Sequence, residues 1–175
     1  IRGGGEIEPY LFFNPFNIRA ARDNILEASA ELSEFVSFIE NFQMKPAPHG
    51  GDIFFDRNRI YYMGHSQGAI IGVPFLAVEE RVKAGIISGG GGFLIYSLLY
   101  KSLPFEIRPL LEMLLGEKLD EFHIMLNLFQ TFFDPSDSVN YIGLITSSSP
   151  KHLFVSEGID DPYTPCLLYT SPSPR

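Results

Sequence analysis

The chain has no tryptophan and a single cysteine, Cys166, so an intrachain disulfide is excluded and the redox compartment stays open. It has no C-x-x-C and no H-E-x-x-H, and no metal or cofactor is expected. No apolar run is long enough to cross a bilayer. The best stretch, 93–103, is too short and is interrupted by Tyr96, Ser97, Tyr100 and Lys101. Basic residues are few, with 13 Lys and Arg against 21 Asp and Glu. The formal net charge of −8 argues against nucleic acid or an anionic membrane as partner. No signal peptide is visible at Ile1.

What is present is a folding composition. Hydrophobic residues make up 45% of the 175 positions, and phenylalanine alone contributes 16. That length suits one domain. Residues 1–15 read as an incoming loop ending at Asn14-Pro15. From 18 to 42 the period is helical: Ile25, Ala28, Leu32, Phe35, Ile39 and Phe42 fall on one face, with Glu27, Glu31, Glu34 and Glu40 elsewhere. Residues 45–51 form a loop. Strands are predicted over 59–63, 82–87 and 151–156, and an apolar helix over 69–78. The stretch 93–144 is helical in pattern and punctuated by Pro104, Pro109, Gly116 and Pro135, which suggests a helical cap inserted over the sheet. Alternating helices and strands imply an α/β fold with a mostly parallel sheet covered on both faces. The segment 166–175 breaks the pattern, resembles translated sequencing adapter, and is expected not to be native; residues 1–165 are read as a partial domain.

Chemistry concentrates at Gly64-His65-Ser66-Gln67-Gly68, a G-x-S-x-G with a strand before it and a helix after it. A serine on so sharp a turn stands clear of the sheet, and glycines two before and two after avoid neighbouring backbone. The following helix points its N-terminus at the site. Ser66 is the candidate nucleophile, and the Gln67 amide the candidate oxyanion donor. A second donor is expected near residues 3–5 or before Ile1. The acid is expected after the last strand, where Glu157-Gly158-Ile159-Asp160-Asp161-Pro162 offers Asp161, with Asp160 as runner-up. The base should be a histidine after that acid. His49, His65, His123 and His152 all precede it, so the triad is incomplete as written, truncation being the simplest account. His65 diverges from Ser66 and is read as a packing or supporting residue; His123 and His152 are read as structural. Asp52 and Asp56 are read as solvated turn residues, residues 134–137 as a turn leaving the cap, and residues 89–92 as a bend beside the pocket.

From Asn14 to Pro165 the chain resembles the α/β-hydrolase superfamily, and within it bacterial extracellular lipase- and esterase-like hydrolases. The matching pieces are Phe13-Asn14-Pro15, Arg22-Asp23-Asn24, Met63-Gly64-His65-Ser66-Gln67-Gly68, Phe75-Leu76-Ala77 with Val82-Lys83-Ala84, the glycine run, Glu121-Phe122-His123, and residues 157–165. The resemblance implies Ser66 as nucleophile, Asp161 as acid, a small hydrophobic ester as substrate, and secretion or the cell envelope as location. The function expected is carboxylic-ester hydrolysis through an acyl-enzyme on Ser66, the 175-residue piece by itself being inactive. A hydrolase-like binding module without catalysis, or a peptidase or acyltransferase with the same triad, is the alternative.

Overall fold

The computed structural model describes residues 12–14, 17–45, 50–103, 106–147 and 151–165. Residues 3–5, His49, Cys166 and the tail 166–175 lie outside them, and so do the expectations placed there. In chain order the elements are α1 (Ile18–Asn41), the short strands β1 (Gln43–Met44) and β2 (Ile53–Phe54), β3 (Ile60–His65), α2 (Gln67–Val78), β4 (Val82–Ser88), α3 (Leu94–Tyr100), α4 (Arg108–Leu115), α5 (Ile124–Phe133), a 3-10 turn (Asp134–Ser136), α6 (Val139–Ser147) and β5 (His152–Ser156).

The fold is mixed α/β. Three parallel strands run in the order β3-β4-β5, with Met63 opposite Ile86 and Ile86 opposite Phe154. β1 and β2 form a separate antiparallel pair on either side of the loop read over 45–51. Their two-residue length is below any periodicity signal.

The helix over 18–41 starts where Asn17 accepts the Ala20 amide at 3.1 Å, an N-cap. Its buried stripe is Ala21, Ile25, Ser29 and Val36, flanked by Leu32 and Ile39. Phe35, read from sequence as part of that stripe, is 57% exposed and stacks on Phe38 instead. Ser29 takes a core position because its hydroxyl is satisfied twice, donating to the carbonyls of Ile25 (2.9 Å) and Ile71 (2.7 Å). α2 is apolar all round and central. Pro74 leaves the Ile70 carbonyl without its helical donor, and the Ser138 hydroxyl reaches that carbonyl at 3.4 Å. Val36, Ala69, Val73, Phe75, Leu76, Val82, Ile87 and Ile145 close one core. Ile145 lies on α6, so the stretch 93–144 divides. α3 and α5 share a small cluster of their own around Ile95, Leu99, Leu119 and Leu126, whereas α6 is the crossover helix of the β4-to-β5 connection.

Of the cover expected on both faces, the described residues supply one side. Among the described residues α1, α2 and α6 form one layer, and Tyr62, Gly85 and Leu153 point into it. Tyr61, Met63, Ile86 and Phe154 alternate to the other face and are exposed by 63%, 74%, 42% and 63%.

One ion-pair network ties α1 to the α2–β4 junction. Arg81 donates to both carboxylate oxygens of the buried Glu79 (2.6 Å each), to Glu40 (3.0 Å), and to Ser37 and the Ser33 carbonyl. The Arg81 guanidinium holds the Glu79 carboxyl below its ordinary value.

Two measurements check this packing. Arg81→Met leaves a buried carboxylate unpaired and is expected to cost about 2 kcal/mol in urea unfolding at pH 7. Glu79 titrates lower when folded, so its contribution is complete above the ordinary glutamate range and fades as pH falls through the folded value. The gap between wild type and variant should therefore close in acid. Leu76→Ala, in the core, should cost about 2–5 kcal/mol, whereas Met63→Ser on the uncovered face should cost less than about 0.5 kcal/mol.

Candidate active site

The turn from β3 into α2 is set by contacts around glycine. A Cβ on Gly64 would stand 2.4 Å from the carbonyl oxygen of Gly68 and 2.8 Å from the Tyr62 ring. Backbone thus approaches backbone, and only a residue without a side chain fits. Gly68 plays a different part from the one its motif position suggests. A Cβ there would meet only the Tyr62 hydroxyl, at 3.8 Å. The second crowded glycine is Gly72, one turn further on, whose Cβ would fall 2.2 Å from the same ring. Tyr62 lies across this smooth strip of α2 and donates its hydroxyl to the Gly68 carbonyl at 2.6 Å. Burial pushes the Tyr62 phenol up from its ordinary value. The motif shows Gly64 and Gly68; Tyr62 and Gly72 emerge only from the packing.

Ser66 occupies the corner with φ 53° and ψ −118°. A non-glycine residue held there stores about 1–3 kcal/mol of strain. Its neighbours hold it: the Ser66 amide donates to the Ser88 carbonyl of β4 (2.9 Å), and the Ser66 carbonyl accepts from Ala69 (2.9 Å) and Ile70 (3.1 Å). Ser66 is exposed, as a nucleophile must be. Gln67 is the first residue of α2, so its amide has no acceptor within the helix and is open to a developing oxyanion.

Asp161 is half-buried and tightly fixed. Its Oδ1 accepts the amides of Tyr163 (2.7 Å) and Thr164 (3.1 Å). Its Oδ2 faces the end of β4: a Cβ on Gly89 would lie 3.9 Å from Oδ2 and 3.4 Å from Cε1 of His65. Burial pushes the carboxyl up, but the Tyr163 and Thr164 amides, the Thr164 hydroxyl and the nearby His65 together bring it below the ordinary aspartate value. Asp160 is exposed, in the left-handed region at φ 57°, and serves the turn. Lys101, at the end of α3, is half-buried and near enough to feel the Asp161 charge; burial lowers it from its ordinary value and Asp161 opposes this. The amides of Ser102 and Leu103 donate to the Pro162 carbonyl at 3.0 and 3.1 Å, tying this end of α3 to the acid loop.

The described histidines have separate tasks. His65 turns to β4, its Nδ1 3.3 Å from the Ser88 hydroxyl, so its supporting position lies between Ser88 and Asp161. His123 caps α5, its Nδ1 accepting the Met125 amide (3.3 Å) and its Nε2 lying 3.0 Å from Glu117. His152 is exposed at the start of β5. Asp52 and Asp56 pair on the surface with Lys45 (3.2 Å) and Arg59 (2.7 Å). No group of three metal-ligating side chains occurs among the described residues.

Two acids matter more than sequence reading shows. Asp137, within the expected turn, is buried and accepts the amides of Phe93, Leu94 and Val139 and the Gln130 side chain, so it anchors the start of α3. Glu157 accepts the amides of Gly90 (2.7 Å) and Gly91 (2.9 Å). Neither has a sequence signal, since both act on backbone far away in the chain.

If the Gly64 contact defines the turn, Gly64→Ala should lose at least about 2 kcal/mol, and Gly68→Ala under about 1 kcal/mol. Paired thermal melts of the two variants check the difference.

Comparison of the chain with protein-family models, with curated proteins and with solved structures finds no match.

Proposed function

We propose that the chain is the core of a serine hydrolase of the α/β-hydrolase type that cleaves carboxylic esters. The observation that carries this is Ser66 itself: an exposed serine held at φ 53° and ψ −118° between a parallel strand and the N-terminus of an apolar helix. Strain of that kind persists only where the surroundings impose it, and its effect is to lift a hydroxyl clear of the sheet beside an open helix amide.

The reaction proposed uses these positions. The Ser66 oxygen attacks the ester carbonyl, and its proton passes to an imidazole. The carbonyl oxygen takes up negative charge against the Gln67 amide, the alcohol leaves, and water releases the acyl group. Asp161 supplies the fixed carboxylate, with Oδ1 held by two amides and Oδ2 directed towards the strand ends. Its lowered titration keeps it ionised at neutral pH, as the partner of an imidazolium must be. The imidazole at Ser66 is assigned to none of His65, His123 or His152: the first two are engaged as described, and His152 lies exposed at the start of β5.

A shallow cleft of about 50 Å³ lies nearby, lined by Ile25, Ile70, Leu94 and Phe133 and by the polar Ser97 and Asp137. Ile70 joins it to the turn, donating its amide to the Ser66 carbonyl at 3.1 Å.

In the protein carrying the base, Ser66→Ala should abolish turnover of p-nitrophenyl esters, with melting unchanged. Acyl-enzyme trapping followed by peptide mass mapping should place the adduct on Ser66. Asp161→Asn should lower turnover by about 10⁴-fold while leaving Ser66 in place. Full turnover in Ser66→Ala would exclude the reading.

A further inference from the structure

Glu157 is an acidic group beside Asp161 in the chain that the proposed reaction does not use. It stands directly after β5, four residues before Asp161. Its Oε1 takes two amides from the other side of the site, those of Gly90 and Gly91. Its Oε2 is buried and has no hydrogen-bond partner among the described residues. Half of a carboxylate is thus kept from water without compensation while the other half gathers two backbone donors. A group that served folding alone would meet less cost as an exposed or neutral side chain.

The contacts form a closed circuit. Gly89, with φ 62°, and Gly91, with φ 64°, bend the chain as it leaves β4, and Glu157 grips the two amides that follow the first of these bends. The Gly89 amide donates to the Ser156 carbonyl at 2.9 Å. The Gly89 carbonyl accepts the Thr164 hydroxyl at 3.1 Å. Thr164, in turn, donates its amide to Oδ1 of Asp161. The glycine run is thereby locked to both ends of the acid loop, and Gly89 is the point that Oδ2 of Asp161 and the His65 ring both approach.

We propose that Glu157 is a positioning residue: by gripping the amides of Gly90 and Gly91 it sets the glycine run, and through Gly89 and Thr164 the run sets the Asp161 carboxylate. The role of Asp161 rests on the hydrolase reading; the positioning does not. The charged and titratable groups that act on Asp161 are His65 and Lys101.

The test reads Asp161 directly, by its ¹³C-carboxyl titration in the 175-residue chain. Glu157→Met removes the acceptor at nearly constant size, and the Asp161 midpoint should rise towards the ordinary aspartate value. The Gly90 and Gly91 amides should lose exchange protection with it. Glu157→Gln retains an oxygen acceptor and should restore both. If the methionine variant does not fold, Glu157→Asp decides, since it keeps the charge but is one methylene too short to hold both amides; its Asp161 midpoint should rise as well. An unmoved midpoint in the folded methionine or aspartate variant overturns the proposal, and so does an equal rise in the glutamine variant. Ester turnover supplies the independent arm. Glu157→Met should lose about a hundredfold, as for a misplaced catalytic group, and Glu157→Gln should recover it. Turnover surviving in Ser66→Ala would remove the hydrolase reading and leave the titration result standing.

Discussion

The distance between β3 and α2 at Gly64 is the constraint on which the rest depends. The Gly68 carbonyl lies where a Cβ on Gly64 would be, and the Tyr62 ring lies against the strip left bare by Gly72. Helix and strand therefore meet backbone to backbone at Gly64, with the Tyr62 ring filling the strip beyond. The chain has one residue in which to reverse from an extended strand into a helix, and that residue is Ser66. The left-handed corner follows from this closeness rather than from any preference of serine, which ordinarily avoids positive φ. The same closeness sends the Ser66 amide to β4, and Gln67, as the first residue of α2, has no acceptor for its amide within the helix.

The parallel order of β3, β4 and β5 brings their C-terminal ends to one edge. Ser66 follows β3, the glycine run follows β4, and Glu157 and Asp161 follow β5. Parallel strands with crossover connections gather successive loops in this way, and open α/β sheets tend to carry their sites there. Hydrogen bonds between the loops convert that gathering into a fixed arrangement. Ser66 to Ser88 and Gly89 to Ser156, backbone to backbone, and the Thr164 hydroxyl to the Gly89 carbonyl each join the exit of one strand to that of its neighbour. This edge is thus coupled to the sheet through hydrogen bonds, many of them made by glycines and small hydroxyl residues.

The helical stretch beyond β4 is joined to this edge by few contacts, and polar ones carry the weight. Asp137 holds the start of α3, Pro162 holds its end, and the α3–α5 cluster around Leu99 and Leu126 packs mostly with itself. α6 is different in kind, because Ile145 is fully buried in the main core. Periodicity does not separate the two cases. Both are apolar helices of about two turns, and only their partners distinguish a core crossover from a covering element.

The sequence by itself determined the elements and the turn. A period-3.6 pattern located α1, and apolar runs bounded by turn residues located α2, β3, β4 and β5, because local propensity agrees there with the final packing. The G-x-S-x-G spacing located Ser66, because a strand-to-helix reversal of that sharpness demands small residues at fixed offsets. The strand-G-x-x-D spacing offered Asp161, with Asp160 as runner-up, and the tertiary structure turns Asp160 to solvent and sets Asp161 beside Gly89. Tertiary structure alone decided that Phe35 leaves the buried stripe while Ser29 joins it, since the Ile71 carbonyl that receives the Ser29 hydroxyl belongs to another helix. It alone decided that Glu157 reaches across to Gly90 and Gly91, more than sixty residues away in the chain. Local sequence carries the preferences of single elements, whereas a buried polar group is fixed by whatever distant donor the fold brings to it.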